Sequence, residues 1–267
     1  MKSFNADKIR ALILDMDGVL WRGSNLLVDL PEVFAQIDQL GLAVALATNN
    51  ATSTTAHYYD KFRRLGVTLE PGQIINSALA TSFYLKQRHP GGGPVYIVGE
   101  DGLHATLEEQ GFYHAEKDVL AVIGSLDRGI NYRKMEQATL LIRAGAPFIG
   151  TNADKSFPAP EGLLPGAGAI LAAIEAASDT APILIGKPEP ALYLAALEKL
   201  GTAPGETLMV GDRLETDIAG AQNVGCSTAL VLSGVSTLEM AQAWQPAPDI
   251  IAPDLTNVLK RLALNHE

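Results

Sequence analysis

The stretch Ala11-Leu12-Ile13-Leu14-Asp15-Met16-Asp17-Gly18 decides how this chain is read. Four apolar residues without polar alternation are the pattern of a strand buried on both faces, as strands of a parallel sheet are. The run stops at two carboxylates and a glycine, so the strand delivers acids into a turn at its carboxyl end. Open α/β sheets collect their ligands beyond that end. Side chains at i and i+2 of a strand share a side, which would let Asp15 and Asp17 converge on one cation or one substrate group. An Asp-x-Asp-Gly turn also has a structural reading, because Asp and Gly favour turns for backbone reasons. The rest of the chain must separate the two.

Further apolar runs recur at Leu42–Ala47, Val95–Val98, Val119–Ile123, Pro147–Ile149, Ile183–Ile185, Thr207–Val210, Ser227–Leu232 and Asp249–Ile251. Between them lie helical periods such as Val33, Phe34, Ile37 and Leu40; Tyr58, Tyr59, Phe62 and Leu65; and Leu192, Leu194, Ala195, Leu197 and Leu200. Strands alternating with helices imply a mostly parallel sheet joined by right-handed crossovers, hence the α/β class. The breaker-rich segment Gln87–Pro94 opens a fresh βα alternation that lasts until Pro182. Residues 81–182 are therefore expected to form a domain inserted into a discontinuous one made of residues 1–80 and 183–267. Thr256–Glu267 reads as a final amphipathic helix, through Val258, Leu259, Leu262 and Leu264.

Composition narrows the function classes. A chain of 267 residues with 47% hydrophobic content can build a real core. Thirty acids against 20 Lys and Arg leave a formal charge of -10, which repels nucleic acid and anionic membrane surfaces. A small anionic substrate would need a local positive site. The single cysteine, Cys226, excludes an internal disulfide and suits a reducing compartment; between Gly225 and Ser227, with no histidine nearby, it reads as structural. The segment Met1–Lys8 is too polar for a signal peptide and no apolar run reaches the ~18–20 residues needed to span a bilayer, so the cytoplasm is expected.

Three other strand ends carry residues suited to chemistry. Thr48-Asn49-Asn50 follows the strand at Leu42–Ala47: its hydroxyl and backbone N–H groups could cap the next helix or hold a phosphate oxygen. Lys187, in Gly186-Lys187-Pro188, is either an ordinary solvated lysine or the positive charge an anionic substrate requires. Gly211-Asp212-Arg213-Leu214-Glu215-Thr216-Asp217 places one acid at a strand end and a second five residues later, where a helix through Ile218–Asn223 could begin. Asp217 could cap that helix; equally, hard carboxylate oxygens beside a phosphate are what Mg²⁺ prefers. Four strand ends bearing two acids, a hydroxyl, a lysine and two more acids are hard to attribute to caps and turns together.

Asp15-Met16-Asp17-Gly18-Val19-Leu20, Thr48-Asn49-Asn50, Gly186-Lys187-Pro188 and Gly211-Asp212-x4-Asp217, in that order, resemble the four motifs of the haloacid dehalogenase superfamily. The spacing resembles subfamily IIA, the NagD-like and p-nitrophenylphosphatase-like phosphatases. The long insertion corresponds to their C2-type cap, and Thr151-Asn152-Ala153-Asp154 is similar to a Thr-Asn-x-Asp segment of that branch. The resemblance implies a Rossmann-like core with an inserted α/β cap, and hydrolysis of a small phosphomonoester such as a sugar phosphate, phosphoglycolate, a nucleoside monophosphate or an aryl phosphate. It implies Asp15 as the nucleophile that becomes an aspartyl phosphate, and Asp17 as the acid that protonates the leaving oxygen and then the base that activates water. Thr48, Asn49 and Lys187 would bind the phosphoryl group. Mg²⁺ would be held by the Asp15 carboxylate, the Asp17 backbone carbonyl and Asp212, with Asp217 supporting these ligands from behind. Asn152 and Asp154 are the cap-side candidates for substrate contact, and a cap-mediated homodimer is compatible with the family.

Two alternatives stay open on the sequence. A phosphotransferase or mutase would use the same aspartyl phosphate but pass it to a hydroxyl. A non-catalytic ligand-binding protein could keep the fold, although Asp15, Asp17, Lys187 and Asp212 are all present. A nucleotide-cofactor dehydrogenase would show Gly-x-Gly-x-x-Gly after its first strand, where this chain has Asp-Met-Asp-Gly.

Overall fold

The structure is a computed structural model that describes residues 4–159 and 162–264. The chain divides into two compact units, one of residues 1–48, 58–75 and 192–267, the other of residues 49–57 and 76–191.

The first unit carries a six-stranded sheet in the order Ile250–Ala252, Ser227–Val231, Thr207–Gly211, Ala11–Asp15, Ala43–Thr48, Ile74–Asn76. Ala11–Asp15 is central and buried at every position, as its uninterrupted apolar run requires. It pairs in parallel with Thr207–Gly211 on one side and with Ala43–Thr48 on the other. From this strand the chain first builds outward one way, through Ala43–Thr48, and later the other way, through Thr207–Gly211. The point where the order reverses lies at the carboxyl end of Ala11–Asp15, where open α/β sheets place their sites.

The flanking helices follow from ordinary local rules. Leu30–Gln39 starts where Asp29 accepts a hydrogen bond from the Glu32 N–H at 3.1 Å, has proline in its first turn, and buries Leu30, Val33 and Ile37. Leu255–Ala263 is capped by Asp254 and buries Leu255, Val258, Leu259 and Leu262 at helical spacing. This is the expected C-terminal helix, beginning one residue earlier than Thr256 and ending at Ala263; residues 265–267 of that expectation lie outside the described residues. Phe62, on helix Thr55–Arg64, anchors the core, with its ring 5.3 Å from that of Trp21 and 5.8 Å from that of Phe34.

The second unit has its own parallel sheet, ordered Ile183–Leu184, Phe148–Gly150, Val122–Gly124, Gly93–Val98, Phe112–His114. Its core is formed by Tyr96, Val98, Val122, Ala138, Ile142, Phe148, Ile170, Leu171 and Ile174. A short antiparallel hairpin, Ser156–Ala159 with Gly162–Pro165, extends from it. All nine apolar runs contain or overlap strands. The helices Ser77–Arg88, Asp101–Glu109, Tyr132–Arg143, Ala167–Ser178 and Leu238–Ala243 are additions to the sequence reading. Among the described residues, no helix is long and apolar enough to cross a membrane.

Phe62→Ala removes a fully buried ring from an aromatic cluster and should cost about 3–5 kcal/mol, measured as a lower unfolding midpoint in urea or on heating. Cys226 is buried, and burial pushes its thiol up to about 12. The thiol should resist Ellman's reagent at pH 8 in the native protein and react at once in guanidinium. Because the folded state holds this proton to higher pH than the unfolded state, the linked stability is lost as pH rises from about 9 towards 12.

Candidate active site

Three neighbouring strands end side by side. In the register, Leu14 lies beside Val210 and Asp15 beside Ala47. Asp15 therefore closes the central strand, Thr48 stands one residue past Ala47, and Asp212 one residue past Gly211. All three are buried.

Asp212 and Asp217 are joined by a tight turn. The carboxylate of Asp217 accepts hydrogen bonds at its Oδ2 from the N–H groups of Asp212 and Arg213, both at 3.1 Å. The segment Leu214–Ile218 is a single wide π-type turn ahead of helix Ala219–Val224, so Asp217 lies within the turn and is not the cap of a helix through Ile218–Asn223. Its side chain nonetheless does what a cap does, by satisfying two main-chain donors just upstream. Tyr193 Oη donates to the main-chain oxygen of Thr216 at 2.7 Å and holds the turn from the other side.

Glycines admit this close packing. Gly18 has φ +88°, and a Cβ there would lie 2.5 Å from Asp212 Cγ; a Cβ on Gly211 would strike the side chain of Asp217. The segment Ser233–Ser236, past the strand Ser227–Val231, is a fifth strand end that the sequence reading passed over. Val235 N–H donates to Asp212 Oδ2 at 2.7 Å, Ser236 Oγ accepts from Leu214 N–H at 3.1 Å, and Ser233 Oγ donates to the Gly18 oxygen at 2.7 Å. Its signal is the small-residue sequence Ser-Gly-Val-Ser directly after an apolar run.

Asp15, Asp212 and Asp217 offer carboxylate oxygens that all lie within 4.8 Å of one another, and each residue is buried. At an effective dielectric constant of about 20, two unit charges 4.8 Å apart repel by roughly 3.5 kcal/mol. Three acids so placed suit a hard divalent cation, whose chemistry calls for carboxylate oxygens. The donor set fits such an ion.

Asp17 has a different setting. The strand ends at Asp15, so Asp17 belongs to the turn and the i, i+2 alternation of a strand does not govern it. The turn closes on itself: Gly18 N–H donates to the Trp21 oxygen at 2.7 Å and Leu20 N–H to the Met16 oxygen at 2.9 Å. Asp17 is exposed, and its Oδ1 accepts the indole N–H of Trp21 at 3.1 Å. The Lys61 ammonium sits 3.4 Å from the centroid of the same indole. Burial holds Lys61 below its ordinary range, partly offset by the negative charge of Asp17.

The remaining candidates fall together in the second unit. Asn49 Oδ1 accepts the Lys187 N–H at 2.8 Å, while its Nδ2 donates to the Lys187 oxygen at 3.0 Å and to Asp154 Oδ2 at 3.1 Å. Asn152, also buried, donates through Nδ2 to the Asn49 oxygen at 2.8 Å. Lys187 is 3% exposed, which removes the solvated-lysine alternative; a buried ammonium is stable only among polar or charged oxygens. The helix Thr55–Arg64 is capped by Thr54, whose Oγ1 accepts from His57 N–H at 3.2 Å, so Thr48-Asn49-Asn50 is not needed as its cap.

The chain is similar to known families and proteins. Residues 12–113 match the haloacid dehalogenase-like hydrolase family and residues 184–258 match the HAD-hydrolase-like family. The chain is 37% identical over 254 residues to the acid sugar phosphatase of Staphylococcus aureus (strain USA300), covering 95% of this chain and 98% of the relative. Among solved structures, 4-nitrophenylphosphatase from Thermotoga maritima superposes with a TM-score of 0.90 at 31% identity, over 96% of this chain and 98% of that one. NagD from E. coli K-12 gives 0.85 at 34%, over 92% and 97%. With a central parallel sheet, a second α/β unit and relatives matched over nearly their whole length, this chain belongs to the haloacid dehalogenase-like hydrolases, in the NagD and p-nitrophenylphosphatase branch.

Proposed function

We propose that this chain is a Mg²⁺-dependent phosphatase of small phosphomonoesters, sugar phosphates among them, that works through a phosphorylated Asp15. The observation that carries the proposal is the buried cluster of Asp15, Asp212 and Asp217 at the sheet's switch point, in a chain whose relatives are named as phosphatases. Asp15 and Asp212, with the main-chain oxygen of Asp17, would hold the metal, which supplies positive charge against the phosphoryl oxygens.

In this reading the Asp15 carboxylate attacks phosphorus and the bond to the ester oxygen breaks. Asp17 gives that oxygen its proton, so the alcohol leaves neutral. Asp17, now ionised, takes a proton from water as the water oxygen attacks the aspartyl phosphate; phosphate departs and Asp15 is restored. Thr48 and Lys187 bind the transferring oxygens, Lys187 offsetting the repulsion between an anionic nucleophile and an anionic substrate. Asn49 contributes by gripping both main-chain polar groups of Lys187, and Asn152 and Asp154 brace Asn49 in turn. The residues that contact the leaving group belong, in this reading, to the inserted cap. A reducing cytoplasm is consistent with one buried, protonated cysteine.

Phosphate release should be assayed with p-nitrophenyl phosphate and a panel of sugar phosphates, with Mg²⁺ and after EDTA. Turnover should require the metal and be abolished by Asp15→Asn; undiminished turnover in a clean preparation of that variant would sink the mechanism. If a phosphorylated alcohol forms when an acceptor alcohol is added, the chain is a phosphotransferase. Asp217→Asn weakens one of the hydrogen-bonded braces behind Asp212 and should raise the Mg²⁺ concentration for half-maximal activity about 10–100-fold. An unchanged Mg²⁺ titration would show that Asp217 does not support the metal ligands.

A further inference from the structure

Asp17 is the exposed acid of the pair, and its reading as a proton donor requires that one of its two oxygens carry the proton. Trp21 bears on that choice. Its indole N–H lies 3.1 Å from Asp17 Oδ1, and an indole donates but never accepts a hydrogen bond. A proton on Oδ1 would confront the N–H and break this bond. A proton on Oδ2 leaves Oδ1 as the carbonyl-type acceptor and keeps it.

The indole is held firmly enough to impose this. Trp21 is 2% exposed, its ring packs 5.3 Å from that of Phe62, and the Lys61 ammonium covers it at 3.4 Å. A cation over the ring face also draws electron density from the indole and makes its N–H a better donor. The turn that presents Asp17 is closed by main-chain bonds reaching Trp21 itself, so donor and acceptor belong to one short rigid segment.

From this geometry we propose that Trp21 is the positioning residue of the acid–base step, selecting Oδ2 of Asp17 as the oxygen that gives and takes the proton. The proposal rests on the reading of Asp17 as the acid given above. It has a consequence that a merely structural tryptophan would not have. Protonation matters for a poor leaving group, an alkoxide, and little for p-nitrophenolate, which departs as a stable anion.

The test compares kcat/KM, which reports on steps up to formation of the aspartyl phosphate, for an alkyl phosphate and for p-nitrophenyl phosphate. Trp21→Phe keeps a ring against Phe62 and Lys61 but removes the N–H. It should lower kcat/KM for the alkyl ester about tenfold, the worth of one hydrogen bond to a charged group, while p-nitrophenyl phosphate is largely spared. Equal losses on both esters, or none on either, would overturn the role of Trp21. Asp17→Asn separates the two layers: if it harms both esters alike, the acid assignment itself fails, whereas selective harm by Asp17→Asn without selective harm by Trp21→Phe removes only Trp21.

Should Trp21→Phe fold poorly, the Mg²⁺-loaded enzyme labelled with ¹⁵N-tryptophan offers a second route. The chain has two tryptophans, Trp21 and Trp244, and Trp244→Phe assigns their indole signals. Asp17→Asn should shift the Trp21 indole N–H and leave that of Trp244 in place. An unmoved Trp21 signal would show that Asp17 does not engage the indole.

Discussion

Mutual repulsion among three buried carboxylates is the constraint on which this site depends. Asp15, Asp212 and Asp217 come from the end of one strand and from a turn beyond its neighbour, and the fold has to keep them together against their charge. It does so with fixed dipoles: two main-chain N–H groups on Asp217, one on Asp212, and a tyrosine hydroxyl on the turn between them. Gly18 and Gly211 stand where any side chain would collide with these acids. Such an arrangement is poor design for stability alone and good design for holding a hard cation.

The same short segment gives its two acids opposite surroundings. Asp15 ends a fully buried strand among other carboxylates, where its charge is worth most beside a metal. Asp17, two residues later, has left the strand, faces solvent, and takes a neutral N–H donor instead of sharing in the acidic cluster. Unlike environments for two like groups are how one motif can supply both a nucleophile and a proton donor.

Much of this was legible in the sequence, and what was not has physical reasons. Most of the nine apolar runs are visible because strands buried on both faces cannot tolerate polar interruption. Ile74–Asn76 and Phe112–His114 are not marked in the sequence because each has three residues and only one or two of them aliphatic or Phe, too few to make an apolar run. Ser77–Arg88 buries Ser77, Ala78, Ala80, Thr81 and Ser82, small and polar residues that no hydrophobic period marks; Ala167–Ser178 is rich in alanine and apolar nearly all round. At the site, acids at strand ends stand out by residue type. Ser236, Val235 and Trp21 act through a hydroxyl, a main-chain N–H and an indole N–H, groups that are ordinary in sequence and acquire meaning only from what they touch.

Asn49 has a structural use that residue type does not announce. An asparagine after a strand end invites a direct contact with phosphate, yet here both ends of its amide are engaged by the main chain of Lys187, with Asp154 sharing the Nδ2 protons. Only an amide can do this, since it presents an acceptor and a donor in one plane, and an aspartate of the same shape would lose the donor. The effect is to fix the backbone from which a buried lysine extends. A flexible ammonium on a four-carbon stem is a weak anion clamp unless its base is held, because ordering the side chain costs conformational entropy at the moment of binding. Burial of the stem, together with the hold of Asn49 on the Lys187 main chain and of Asn152 on Asn49, orders this lysine at folding, which in the proposed role would leave less conformational entropy to lose when an anion binds.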